Sequence, residues 1–154
     1  MTGITIREAR KTDAPAVARL VSQLGYPASE GEITDRLSKL EKSPGYAVWV
    51  AEADGRAVGL VGVFLHSALE YEGLHGRLLG LVVDEPYRGK GIGEQLMHWT
   101  ERWLRERGVD KLTLTSGAQR TEAHAFYRRL GYEETGLRFG KHLDLPGGPA
   151  KADS

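Results

Sequence analysis

Cysteine is missing from all 154 residues, which excludes disulfides, thiolate metal sites and a cysteine nucleophile. Net charge is missing too, because 21 basic side chains face 21 acidic ones with the five histidines neutral. A balanced chain projects no general field toward nucleic acid or an anionic membrane, so neither is expected as a partner. No stretch approaches the roughly 18 apolar residues of a membrane span, and Met1 to Glu8 has no apolar signal core. The expectation is a soluble, cytoplasmic protein. His66, His75, His98, His124 and His142 are dispersed without zinc-site spacing, so no metal is expected. What the chain does have is 40% hydrophobic and 27% charged residues, the composition of a folded domain rather than a disordered one. Its length suits one domain, placed at residues 1–145, with 146–154 as a frayed tail.

Periodicity divides that domain into elements. Ile4 and Ile6 alternate with polar neighbours as a strand would, and Thr12, Asp13 and Pro15 mark a helix start. Val17, Leu20, Val21 and Leu24 then fall on one helix face that ends at Gly25 and Pro27. Ser29 and Glu32 form the two halves of a capping box for a second helix, with Ile33, Leu37 and Leu40 inward. Tyr46 to Ala53 and Arg56 to Leu65 read as strands joined by a tight Asp54-Gly55 hairpin. His66 to Gly76 lacks a clean period, whereas Leu78 to Val83 is almost wholly apolar and reads as a central strand covered on both faces.

Gly91 to Arg107 is helical, with Ile92, Leu96, Trp99 and Trp103 on its inner side. Lys111 to Thr115 is a strand, and Thr121 to Leu130 is a helix stopped by Gly131. Tyr132 to Glu134 and Leu137 to Leu143 can close the sheet, with Gly136 and Gly140 blurring the register. This order predicts an α/β fold, a mixed sheet flanked by helices in one domain.

The segment Arg88-Gly89-Lys90-Gly91-Ile92-Gly93 lies between the most apolar strand and the longest helix. Three glycines let successive backbone amides converge on an oxyanion, and the helix behind them offers unpaired amides and roughly +0.5 elementary charge. A phosphate or diphosphate fits such a place, with Arg88 and Lys90 adding charge. The spacing matches neither the dinucleotide fingerprint G-x-G-x-x-G nor a P-loop, which needs a Gly-Lys-Ser/Thr ending. A turn that merely starts a helix is the plainer reading.

The same six residues resemble the R/Q-x-x-G-x-G/A signature of the GNAT family of N-acetyltransferases. Ala123-His124-Ala125-Phe126-Tyr127-Arg128-Arg129-Leu130-Gly131-Tyr132 is similar to that family's later segment, and the two motifs stand in the family's order and spacing. The resemblance runs from about Ile4 through Leu143. It implies the family's strongly twisted sheet and acetyl-coenzyme A as acetyl donor. It also implies that Arg88, Gly89, Lys90, Gly91, Ile92 and Gly93 cradle the diphosphate while the backbone of Leu81, Val82 and Val83 pairs with the pantetheine arm.

Acetyl transfer to an amine requires a neutral nucleophile, a positioned thioester and a proton for the departing thiolate. A lysine-like amine costs about 4.6 kcal/mol to deprotonate at pH 7, so burial or a base must offset part of that. The resemblance implies that Tyr127 is the general acid, a phenol that can hydrogen-bond the developing thiolate and deliver its proton. A packed aromatic is the plainer reading of that residue. For the base, Glu70 and Glu72 are candidates acting through water, with His66 and His75 at the margins of the same segment. Residues 77–83 carry no carboxylate, which departs from family members that place a glutamate there.

Ser116, at the end of the preceding strand, and Arg120, just before the helix, are candidate cofactor contacts; Arg120 reads equally as a solvated surface arginine, and Ser116 to Thr121 departs from the family in lacking the asparagine often found there. A small-molecule amine is the expected acceptor, favoured as a cation by Glu70 and Glu72. Protein or peptide amines are the runner-up. Ranked below both are a non-catalytic acyl-coenzyme A-binding module and a purely structural protein. A homodimer is expected.

Overall fold

The computed structural model describes residues 3–70, 72–116 and 120–147. Two compact units divide the chain, one up to Leu114 and the other from Thr115 onward. The first unit contains strand β1 (Thr5–Glu8), helices α1 (Ala14–Leu24) and α2 (Glu30–Glu41), and strands β2 (Tyr46–Ala53), β3 (Arg56–Ser67) and β4 (Leu74–Val83). Helix α3 (Ile92–Glu106) and the short strand β5 (Leu112–Thr113) complete it. The second unit contains helix α4 (Thr121–Arg129).

The sheet is mixed, in the order β1-β2-β3-β4-β5, antiparallel throughout except for a parallel β4–β5 pair. Local chemistry sets the joints as the sequence predicts. The Ser29 hydroxyl accepts from the Glu32 amide at 3.1 Å while the Glu32 carboxylate accepts from the Ser29 amide at 3.3 Å, closing the capping box of α2. Gly25 ends α1 at φ 108, left-handed backbone that a side chain would strain. Asp54 and Gly55 both have positive φ, the signature of the tight hairpin between β2 and β3.

Val17 and Ala18 of α1 and Ile33 and Leu37 of α2 pack with Val50 and Ala57 of the sheet. Helix α3 packs on β3 closely enough that a Cβ on Gly59 would meet Leu96 Cδ1 at 3.0 Å. Buried Trp49 on β2 meets Trp99 and Trp103 of α3 edge-on, with ring centroids 6.4 and 5.1 Å apart. Each such pair adds roughly 0.5–1.5 kcal/mol beyond the area it buries.

Four expectations need correction. Strands β3 and β4 extend into both ends of the segment His66 to Gly76, pairing as far as Ser67 with Leu74, so the aperiodic stretch shrinks, among the described residues, to 68–70, 72 and 73. The apolar run beginning at Leu78 is not covered on both faces. Gly62 pairs with Gly80 and Val63 with Leu78, so Leu79 is an extra residue in a bulge and is 46% exposed. A bulge re-aims a side chain and sharpens local twist, which no one-residue-at-a-time alternation can reveal.

Finally, the closing strands at Tyr132 to Glu134 and Leu137 to Leu143 do not form. Residues 132–145 take no regular structure, and Leu137 and Phe139 are 80% and 88% exposed. Gly136 and Gly140 weaken strand preference there, and an alternating pattern becomes a strand only with a partner to pair with. The strand expected from Lys111 to Thr115 narrows to the two residues of β5.

Candidate active site

The glycine turn follows β4 directly. A short 3-10 turn at Glu85–Tyr87 carries the chain out of the strand, and α3 starts at Ile92 with Gly91 as its N-cap. Gly89 and Gly91 have φ of 76 and 84, a conformation open to glycine and costly to L side chains. A Cβ on either would meet nothing within 4 Å, so conformation rather than crowding selects glycine and the space before both residues is open. The amides of Ile92, Gly93 and Glu94 sit in the first turn of α3, where no intrahelical acceptor exists, and they face the end of the helix that favours an anion. Gly93 is helical and Ile92 turns its side chain into the core at 1% exposure, so what these two offer a ligand is backbone.

Lys90 is exposed, with its ammonium 5.8 Å from the Tyr87 ring centroid. The Arg88 guanidinium donates from Nε to the Val83 carbonyl at 2.8 Å and from Nη2 to Gln23 Oε1 at 3.0 Å.

Beside the turn, β4 presents a strand edge. Its pairing with β5 covers only Gly76 with Leu112 and Arg77 with Thr113, and the Gly76 amide donates to the Lys111 carbonyl at 3.0 Å. Beyond Arg77, no strand among the described residues pairs with that edge, which includes Leu81, Val82 and Val83. An unpaired strand edge is a row of donors and acceptors ready for an extended ligand.

Glu70 and Glu72 are exposed in the loop before β4. They lie at the opposite end of that strand from the glycine turn, about 30 Å from Val83 along ten residues of extended chain. The structure therefore brings Leu81 to Val83 together with residues 88–93, and sets Glu70 and Glu72 apart from them. Tyr71, beside both glutamates, and residues 117–119 lie outside the described residues.

At the start of β4, His75 is 6% exposed and shares a 2.8 Å hydrogen bond with the Thr113 hydroxyl, and its ring centroid stands 5.1 Å from that of His66. Burial, and then the charges of His66 and Lys111, lower the His75 pKa below its ordinary value, against a smaller opposing pull from Glu70.

In the second unit, α4 carries Tyr127 half-buried, with edge-on contacts to Phe126 and Tyr132 at centroid distances of 5.2 and 5.9 Å. The helix closes at Gly131, φ 96, and the Tyr132 amide donates to the Tyr127 carbonyl at 3.0 Å. Burial raises the Tyr127 pKa above its ordinary value, opposed in part by the charge of Arg120. The phenol accordingly stays protonated at neutral pH, as a proton donor must. Arg120 is exposed at the start of α4, and Ser116 Oγ is buried with no hydrogen-bond partner among the described residues.

Sequence reasoning missed Gln23, Arg19 and Asp84. Asp84 follows β4 directly at 5% exposure, where it accepts from Gln23 Nε2 at 2.8 Å and pairs with Arg19 Nε at 3.3 Å. A carboxylate directly after an apolar strand is a signal, because buried it needs partners. Those partners lie 61 and 65 residues away, beyond any local spacing.

The family described as "Acetyltransferase (GNAT) family" matches residues 13–132. The chain is 30% identical over 143 residues to an aminoalkylphosphonate N-acetyltransferase of Salmonella typhimurium, covering 90% of each chain. It is also 30% identical over 139 residues to an aminoglycoside N(6')-acetyltransferase type 1 of Stenotrophomonas maltophilia, covering 85% of this chain and 87% of that one. Among solved structures, a GNAT family acetyltransferase of Staphylococcus aureus superposes with a TM-score of 0.79 at 25% identity, covering 92% of this chain and all of the other.

Proposed function

The chain belongs to the GNAT acetyltransferase family, and from that premise we propose that it moves the acetyl group of acetyl-coenzyme A to the primary amine of a small molecule, with Tyr127 as general acid. The observation that carries this reading is the juxtaposition at the end of β4. Gly89 and Gly91 in left-handed backbone open onto the first turn of α3, immediately after a strand edge that no strand among the described residues pairs with at residues 78–83.

In this reading the amides of residues 89–93 hold the diphosphate, with Lys90 adding positive charge beside them. The free edge of Leu81 to Val83 takes the pantetheine arm by backbone hydrogen bonds and aims its thioester. Ser116 Oγ, a buried hydroxyl with no partner among the described residues, and Arg120 are further contacts for the same donor. Acetyl-coenzyme A supplies an activated acyl carbon and a thiolate leaving group. The amine nitrogen bonds to that carbon as the carbon–sulfur bond breaks. The amine's proton passes to water, since Glu70 and Glu72 stand at the far end of β4 from the residues that would hold the donor, and the Tyr127 hydroxyl gives its own proton to the sulfur.

A small acceptor is favoured because two relatives that match 85% or more of this chain at 30% identity are named for small amines, an aminoalkylphosphonate and an aminoglycoside. The test is release of free coenzyme A across a panel of aminoalkylphosphonates, aminoglycosides, other small amines and lysine peptides, with each product weighed by mass spectrometry. Gain of one acetyl group on a small amine is the expected result. Release only with peptides would overturn the acceptor class, and saturable coenzyme A binding without any release would leave a binding module.

A further inference from the structure

Gln23 is an exposed residue near the end of α1, yet its carboxamide joins three backbone and side-chain groups around the glycine turn. It donates from Nε2 to Asp84 Oδ1 at 2.8 Å, and its Oε1 accepts from the Glu85 amide at 3.0 Å and from Arg88 Nη2 at 3.0 Å. Asp84 is itself held. Its amide donates to the Val58 carbonyl at 2.8 Å, and its carboxylate faces Arg19 Nε at 3.3 Å and Arg56 Nη2 at 3.8 Å. Arg19 sits one helical turn before Gln23 and also donates to the Ala57 carbonyl at 3.0 Å. α1 thereby grips the end of β4 through Arg19 and the turn after it through Gln23.

The consequence falls on Arg88. An exposed arginine ordinarily samples many rotamers, and ordering it on a ligand costs conformational entropy. Here Nε is fixed on the Val83 carbonyl and Nη2 on Gln23, while Nη1 has no partner among the described residues. The guanidinium is held between the end of β4 and α1 before any anion arrives, with N–H groups to spare.

We propose that Gln23 is a positioning residue for the diphosphate of the donor: it orients Arg88 and fixes the Glu85 amide, so that the charge and the backbone of the turn are preorganised for the anion. This rests on the proposed function, and it gives α1 a part in donor binding that neither glycine motif contains.

The test compares coenzyme A with acetyl-pantetheine, which carries the same arm without the diphosphate. Gln23→Met keeps the side chain's length and removes all three hydrogen bonds, and because Gln23 is exposed the variant is expected to fold, as a thermal melt will verify. Calorimetry should show coenzyme A binding weakened about fivefold, acetyl-pantetheine binding unchanged, and KM for acetyl-coenzyme A raised with kcat kept. In an Arg88→Ala background the same substitution should have much less effect, since the two act as one unit.

Unchanged coenzyme A affinity in a folded Gln23→Met protein would overturn the proposal. Equal losses for both ligands, or full additivity with Arg88→Ala, would do so as well. A wild-type chain that fails to bind coenzyme A would instead take down the proposed function itself, and this inference with it.

Discussion

Arg77 and Thr113 form the last rung of the parallel ladder between β4 and β5, and past it the same edge of β4 runs on to Val83 with no strand beside it among the described residues. Antiparallel pairing with β3 holds the other edge as far as Val83, so the free edge is kept extended and rigid. If it receives the pantetheine arm, amide hydrogen exchange within residues 78–83 should slow on adding coenzyme A. Slowing confined to residues 89–94 would place only the diphosphate on this unit.

Gly91→Ala forces a methyl-bearing residue into left-handed backbone at the N-cap of α3, at a cost of roughly 1–2 kcal/mol. Because the space before it is open, the substitution should be accommodated by the turn rather than by the core. Coenzyme A affinity is expected to fall about tenfold, with the thermal midpoint lower by only about 2–8 °C. Full affinity in the variant would show that this backbone conformation is unimportant for the donor.

Tyr127→Phe removes the hydroxyl and keeps the ring contacts with Phe126 and Tyr132. Turnover at saturating donor and acceptor should drop on the order of a hundredfold, with KM for acetyl-coenzyme A held. Since burial raises the phenol's pKa above its ordinary value, wild-type turnover should lose its acid only in strongly alkaline solution, and the variant should lack this alkaline limb. Equal turnover in the two proteins would exclude the general acid.

Asp13, 8% exposed, takes both arms of Arg7 at 2.8 Å and the Arg10 amide at 2.7 Å. The Arg7 hydrogen bonds hold its carboxyl below the ordinary carboxylate range, with burial opposing them. A lowered folded pKa means that the unfolded chain binds the proton first, so this contribution is complete above about pH 4 and fades as the pH falls further. Asp13→Asn should cost about 2 kcal/mol at neutral pH. In urea melts, the gap from wild type should narrow progressively below about pH 4; a gap that stayed constant into acid would contradict the assignment.

Local chemistry made much of this fold legible. The Ser29–Glu32 capping box, the Asp54-Gly55 hairpin and the Gly25 and Gly131 helix stops each need only neighbours in sequence, and all are present. The glycine turn was legible for the same reason, because its glycines and the helix start are contiguous. Leu79 was not: a bulge is a property of two paired strands, and alternation within one of them cannot locate the extra residue. Leu137 and Phe139 alternate as a strand would, yet alternation supplies no pairing partner. Gln23 escaped notice because its role exists only where α1 meets Asp84, 61 residues onward.

The most direct measurement is a crystal structure of the protein with coenzyme A. The account predicts the diphosphate against the amides of residues 89–93, with Arg88 still held by Gln23, and the pantetheine arm hydrogen-bonded along Leu81 to Val83. A diphosphate bound anywhere else, or an arm that leaves this strand edge empty, would contradict it.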